Sequence, residues 1–300
     1  MNNDLSQENL NELESFIDSV FHTYKDKYYE SSGAMRDKLD HIIRVTAIVD
    51  KNWPGDQMAR ISAKVHDIGR FPQYEILGKF DDSKVLHHYL GEDFIARAVY
   101  QKKIKKTEEL DLLRYVMKYH GRESYIPFKE EIPEKAKKYI DIVSRVDAIE
   151  NGCIGAIGYL VRESETDAKN YRNANPELDM KSVSPEVMEF FKKGEKFDKM
   201  VYCKTYADYA LFAAVLAIQA LKGKDREIAL DAMSHYKCSR PTEKGKVQYD
   251  NAIDGYDDIF SILVNPKDKA VAMDVLKGFF ENPEYEYKPR KTEAPDEPLV

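Results

Sequence analysis

Apolar residues recur along the first half of the chain at the spacing of a buried helical face. Leu10, Leu13, Ile17, Val20, Phe21, Tyr24 and Tyr28 follow i, i+3, i+4, i+7 order and predict an amphipathic helix over residues 7 to 29, with His22 beside the stripe. Ser31-Ser32-Gly33 interrupts the pattern, and a second helix is predicted from about Arg36 to Asn52, with Leu39, Ile42, Thr46 and Val49 on one face. Trp53-Pro54-Gly55-Asp56 stops it and offers Asp56 as the cap of a third helix, which carries Met58, Ile61 and Val65 toward His66-Asp67, with Gly69 suited to the following turn. Phe71-Pro72 and Gly78 predict a loop. Asp81-Asp82-Ser83 offers caps for a helix to about Gln101. Thr107-Glu108-Glu109 opens another that ends near His120-Gly121, and Pro133 starts one through Val143 and Asp147 to Asn151, where Gly152 stops it.

The second half is patterned differently. Residues 163 to 182 are polar and predict a long loop or insertion. Helices are expected after Ser184-Pro185-Glu186, over Thr205 to Lys222, and near residues 225–236 and 267–280. Sustained alternation is lacking, so the expected class is all-α. The expected organisation is a helical core over 1–162, a helical extension over 163–282 packed on that core, and a flexible tail over 283–300.

Composition narrows the function. The net charge of −7 argues against a general nucleic-acid binder, which needs dense Lys and Arg, but leaves room for a small phosphorylated substrate at a metal centre. Cys153, Cys203 and Cys238 form no CxxC pair, which predicts reduced thiols. The longest apolar run, Ala210 to Leu221, is too short to span a bilayer, and no basic region precedes an apolar run at the N-terminus. A soluble, cytoplasmic protein without a membrane role is expected.

The candidate chemistry lies in His41, His66, Asp67, His87, His120 and Asp147, spread over five predicted helices. Facing helices can place such residues in one core, and a mixed imidazole and carboxylate set suits divalent transition metals. Taken singly, each histidine is more often a packing residue and Asp147 a surface acid. Taken together, the picture changes: His41, His120 and Asp147 each adjoin an apolar stripe and should point inward, where an unpaired carboxylate such as Asp147 would be costly and a metal would relieve the cost.

The ordered pieces His41-Ile42-Ile43-Arg44-Val45, Val65-His66-Asp67-Ile68-Gly69-Arg70, His87-His88-Tyr89-Leu90-Gly91, Tyr119-His120-Gly121 and Arg145-Val146-Asp147-Ala148 resemble the HD-domain superfamily of metal-dependent phosphohydrolases over roughly residues 35 to 155. The resemblance implies a helical HD core in which His41, His66, Asp67 and Asp147 hold one metal. His87 and His120, with Asp67 bridging, would hold a second. His87 matches the HxxxG form of binuclear members, and His88, about 100° further round the helix, is expected in packing or beside the ligands. Arg70 stands where the HD-GYP subclass has Lys, and the GYP signature is missing, so a cyclic-di-GMP assignment has no support.

Arg70 and Lys84 are candidate contacts to a substrate phosphate, Arg122 is a weaker one, and Arg44 is expected to be structural. The implied activity is hydrolysis of a phosphomonoester or phosphodiester, of a nucleotide, by a metal-activated hydroxide oriented by Asp67. Two ions from the group Mn, Fe, Co or Ni are expected as cofactors. Two alternatives stay open: an HD-type di-iron oxygenase, and a nucleotide-binding regulatory module without turnover.

Overall fold

The computed structural model describes residues 5–121, 131–158, 176–193, 202–242, 245–282 and 284–285. They are predominantly helical, as the apolar spacing predicts. The chain divides into two compact units, Met1–Asn151 and Gly152–Val300. Arg122, most of the polar stretch 163–182 and all but residues 284 and 285 of the tail lie outside the described residues.

Unit one contains α1 (Gln7–Tyr28), α2 (Gly33–Asn52), α3 (Gln57–Val65), α4 (Arg70–Leu77), α5 (His87–Tyr100), α6 (Glu108–Tyr119) and α7 (Glu134–Glu150). Side-chain caps start four of them. Ser6, Ser32, Asp56 and Thr107 accept from the backbone N–H three residues ahead and open α1, α2, α3 and α6. A longer-range contact fixes the entry to α1, where the buried Glu109 accepts from the Ser6 N–H at 2.7 Å and from Asn9 Nδ2 at 3.1 Å.

The short helix α3 organises this unit. Met58, Ala59, Ile61, Ser62, Ala63 and Val65 are all buried, and α3 packs against α1, α2, α6 and α7. Around it lie Leu39, Ile42 and Val45 of α2, Leu113 and Val116 of α6, and Val143 and Val146 of α7. Burying each such side chain stabilises the fold by about 1.5–3 kcal/mol relative to exposure. Because α3 ends at the centre of its neighbours, the His66-Asp67 pair that follows it also sits at the centre.

Several local expectations change. The segment after Gly69 is a helix, α4, and Pro72 stands in its first turn, where no backbone N–H is needed. Gly69 is right-handed (φ −68°), so it supplies no left-handed turn. It is needed for proximity: a Cβ there would lie 1.9 Å from the His87 carbonyl oxygen and 2.5 Å from the Gly91 nitrogen. Helix α5 starts at His87, later than the acidic caps suggest. Asp82 still serves it, accepting from the His87 N–H at 3.2 Å. Gly152 does not end α7, whose backbone runs on through a π-helical turn, Asn151–Gly155.

Unit two contains α8 (Pro185–Lys193) and α9, which comprises Tyr206–Leu211, a π-helical turn Phe212–Leu216 and Ala217–Ala220. It continues with α10 (Lys224–His235), an antiparallel hairpin of β1 (Cys238–Thr242) and β2 (Gly245–Tyr249), α11 (Ala252–Leu263) and α12 (Pro266–Glu281). The hairpin and α11 carried no expectation. The polar strand residues show no alternation, and Gly255 interrupts the apolar pattern of α11. Yet α11 is the hub of this unit, packing against α9, α10, α12 and the hairpin, with Tyr256, Ile259 and Phe260 buried. Tyr285 lies with its ring 5.5 Å from that of Phe279, so this part of the tail is tied down. The three cysteines are buried. Among the described residues, no helix is long and apolar enough to cross a membrane.

Candidate metal centre

The six predicted residues meet in unit one. Helix α2 supplies His41, the turn after α3 supplies His66 and Asp67, α5 begins with His87, His120 caps the end of α6, and Asp147 lies in the last turn of α7. All but Asp147 are buried, and the Asp147 side chain is 21% exposed.

The two carboxylate oxygens of Asp67 face different partners. Oδ2 lies 3.7 Å from Nε2 of both His41 and His66. Oδ1 lies 3.1 Å from His87 Nε2 and 3.6 Å from His120 Nε2. Asp147 Oδ1 joins the first pair, 3.1 Å from His41 Nε2 and 3.6 Å from His66 Nε2. Atoms about 2.1 Å from one ion stand roughly 3.0–3.4 Å apart in octahedral or tetrahedral coordination. Two of the contacts, at 3.1 Å, fall in that range and the others, at 3.6–3.7 Å, lie just beyond it, so the cluster is close to the spacing of metal ligands.

The imidazoles are oriented for this. His41 Nδ1 faces Glu150 Oε2, His66 Nδ1 faces the Ala63 carbonyl at 2.6 Å, and His87 Nδ1 faces Asp82 Oδ1 at 2.8 Å. His120 Nδ1 faces the Met117 carbonyl at 3.0 Å. Since Nδ1 donates in each case, the lone pair belongs to Nε2, which points at the shared carboxylate. Nε2 of His41, His66 and His87 is buried without a hydrogen-bond partner. Orphaned, inward-facing nitrogens on oriented rings are what metal ligands require. Two groups, His41 with His66 and Asp67, and His87 with His88 and His120, are close enough to hold ions.

Three residues of the site, Lys38, Glu150 and Asp82, carried no such expectation. Lys38, one turn before His41 on α2, places Nζ 2.6 Å from Asp67 Oδ2. Glu150, one turn after Asp147, is completely buried between His41 and Arg44, whose Nε lies 2.6 Å from Oε1. Helical spacing of three from a ligand is the one sequence signal that marks both. Asp82 holds His87 and also Arg70, at 2.8 Å. His88, expected in packing or beside the ligands, has its ring centroid 3.8 Å from that of His87 and 4.9 Å from that of His120.

Electrostatics follow the geometry. Burial pushes the Asp67 carboxyl up, but the Lys38 ammonium beside it outweighs this and holds the group well below the usual carboxylate range. Burial likewise pushes Asp147 up, and the close His41 and His66 imidazoles overcome it, leaving the carboxyl well below its usual range. Burial and the neighbouring His87 and His120 press His88 down to about 3, so it is neutral near pH 7.

Of the basic candidates, Arg70 borders the site: its Nε lies 3.7 Å from Asp67 Oδ1, and Asp82 and Gln73 fix the guanidinium. Arg44 is committed to Glu150. Lys84 is exposed on the turn before α5, and no contact joins its side chain to the cluster among the described residues. The chain matches no family model, no curated protein and no solved structure. What the site does is therefore argued from its residues.

Proposed function

We propose that the Met1–Asn151 unit is a metal-dependent phosphohydrolase of the HD type. Within that class, we assign it a phosphomonoester or phosphodiester substrate of nucleotide type, with the whole reaction centred on the Asp67 carboxylate. The observation that carries this reading is the division of Asp67, one oxygen toward His41 and His66 and the other toward His87 and His120. A shared carboxylate between two imidazole pairs fits a binuclear centre better than one structural ion.

His41, His66, Asp67 and Asp147 would hold one divalent ion, and His87 and His120 with Asp67 the other. Bound there, the ions supply Lewis acidity, which polarises a phosphoryl oxygen and lowers the pKa of water from about 15.7 toward ~7. The chain adds positive charge at the rim. Lys38 and Arg70 have side chains 15% and 17% exposed, so an anion can reach them while they face Asp67. Arg70 is pre-aimed by Asp82, so little side-chain freedom is lost when it meets a phosphate oxygen. Lys84 stands outside this assignment.

The test is hydrolysis of a panel of nucleotide mono- and diesters by purified protein supplied with Mn²⁺. Turnover is expected in the wild type and absent in Asp67→Ala. Undiminished turnover in that variant would sink the proposed centre. Turnover that requires both iron and oxygen would assign the site to a di-iron oxygenase instead. Tight nucleotide binding without turnover under several metals would make it a regulatory module.

A further inference from the structure

We infer that His88 is an additional ligand of the centre, so that the end of Asp67 facing α5 and α6 binds its ion through three imidazoles and one carboxylate. This rests on the metal-centre reading above and extends it to the kind of ion each end selects.

The first observation is the state of the His88 ring. The residue is 5% exposed, and neither Nδ1 nor Nε2 has a hydrogen-bond partner. The other four imidazoles each use Nδ1 to contact an oxygen of the protein. Buried polar atoms are rarely left unsatisfied, and an aliphatic or aromatic side chain would fill the same space without that cost. An imidazole kept there with both nitrogens free is accounted for when one of them ligates.

The second observation is position. His87, His88 and His120 each offer a ligand atom, all within 4.8 Å of one another. Two ligands of one ion stand at most about 4.2 Å apart, at twice a ~2.1 Å bond, so a small ring rotation closes the set. The third is the room made for the ring. A Cβ on Gly121 would lie 2.7 Å from His88 Nε2, so the glycine after His120 is what admits the His88 ring at this depth.

The two ends of Asp67 then differ in chemistry. The end with His41, His66 and Asp147 offers two nitrogens and two carboxylates, and the end with His87, His88 and His120 offers three nitrogens and one carboxylate. Oxygen-rich sets suit Mn²⁺, and imidazole-rich sets suit Fe²⁺, Co²⁺, Ni²⁺ or Zn²⁺. The centre is therefore built to hold two different ions, the later first-row metal at the His88 end.

Calorimetric titration with Co²⁺, followed also by visible absorption, tests this on the full chain. Wild type is expected to bind two ions. In His88→Phe, which keeps a ring but no nitrogen, one binding event should weaken by about tenfold or more while the other is unchanged, with an altered cobalt spectrum. The metal-free variant should melt at or above wild type, because two unsatisfied nitrogens are gone. His88→Leu should behave alike and guards against a misfit of the larger ring. Unchanged affinities and spectrum in a folded variant would overturn the role of His88 alone. Both metal-free variants melting well below wild type would overturn it too, showing that packing needs the imidazole. A wild type that binds no Co²⁺ would overturn the metal centre itself.

Discussion

Replacing Glu150 by Gln separates the stability of unit one from its capacity for metal. Glu150 has no exposed side-chain surface, and its oxygens face His41 Nδ1 and Arg44 Nε. Gln keeps the shape but offers one acceptor and one donor. With its oxygen on Arg44, its amide faces His41 Nδ1 and is satisfied only if that nitrogen becomes the acceptor. The imidazole proton then sits on Nε2, 3.1 Å from Asp147 Oδ1, where it is well placed to donate. The metal-free protein loses only a charge-assisted bond, about 1.5–3 kcal/mol at most. The lone pair aimed at Asp67, however, is gone. Loss of such an orienting partner weakens metal binding by about 10–100-fold, which is ~1.4–2.7 kcal/mol. Glu150→Ala instead strands Arg44 and His41 without an acceptor, at a cost of about 3–5 kcal/mol, a large share of the ~5–15 kcal/mol that holds a typical domain. Urea denaturation of chelator-treated protein and Mn²⁺ calorimetry measure the two effects. Wild-type affinity for both ions in Glu150→Gln, or an Ala variant as stable as the Gln variant, would refute the reasoning.

Other substitutions probe the surroundings. Gly69→Ala should destabilise unit one by about 3 kcal/mol or more in thermal or urea melts, since its methyl meets backbone of α5 that has nowhere to go. Lys38→Met removes the ammonium that sits on Asp67 Oδ2; Mn²⁺ should bind more tightly while KM for a phosphorylated substrate rises, and a fall in Mn²⁺ affinity would count against the rim role. Burial raises Glu14, but Arg60, Gln57 and Lys64 outweigh it and lower its pKa from 4.5 to about 2. A depressed carboxyl stabilises the folded state above its unfolded pKa, so the advantage of wild type over Glu14→Gln should be full above pH 4.5 and shrink as the pH falls toward 2. A constant difference in urea midpoint across that window would show that the ion pairs contribute nothing.

Helix class and the membership of the buried His/Asp cluster were legible for the same reason: both are written in short-range order. Apolar spacing and the caps at Asp56 and Thr107 set the helices, and the six ligand candidates lie where those helices end or turn. What stayed hidden depends on partners distant in sequence. Asp82 looks like one more capping acid until α5 places His87 Nδ1 on it. Glu150 looks like an ordinary helix-end acid until α2 brings His41 and Arg44 to it. Phe71-Pro72 suggests a loop because proline usually ends a helix, yet a first-turn proline forfeits nothing. Helix α11 was missed because three acids and a mid-helix glycine dilute a stripe whose worth appears only when Tyr256 is buried.

The bond between His41 and Glu150 joins residues 109 positions apart, and that between Ser6 and Glu109 spans 103. Bringing together ends so far apart costs about 4 kcal/mol of length-dependent closure entropy, recovered only when the intervening helices have packed. During synthesis the four Nδ1-anchored imidazoles and Asp67 are made before Asp147 and Glu150, so His41 waits without its anchor. No fragment that stops short of α7 can finish the centre. The last turn of α7 is thus the closing step of assembly, and a ribosomal pause or a proteolytic cut before it would leave a chain with most of the candidate ligands and an incomplete cluster.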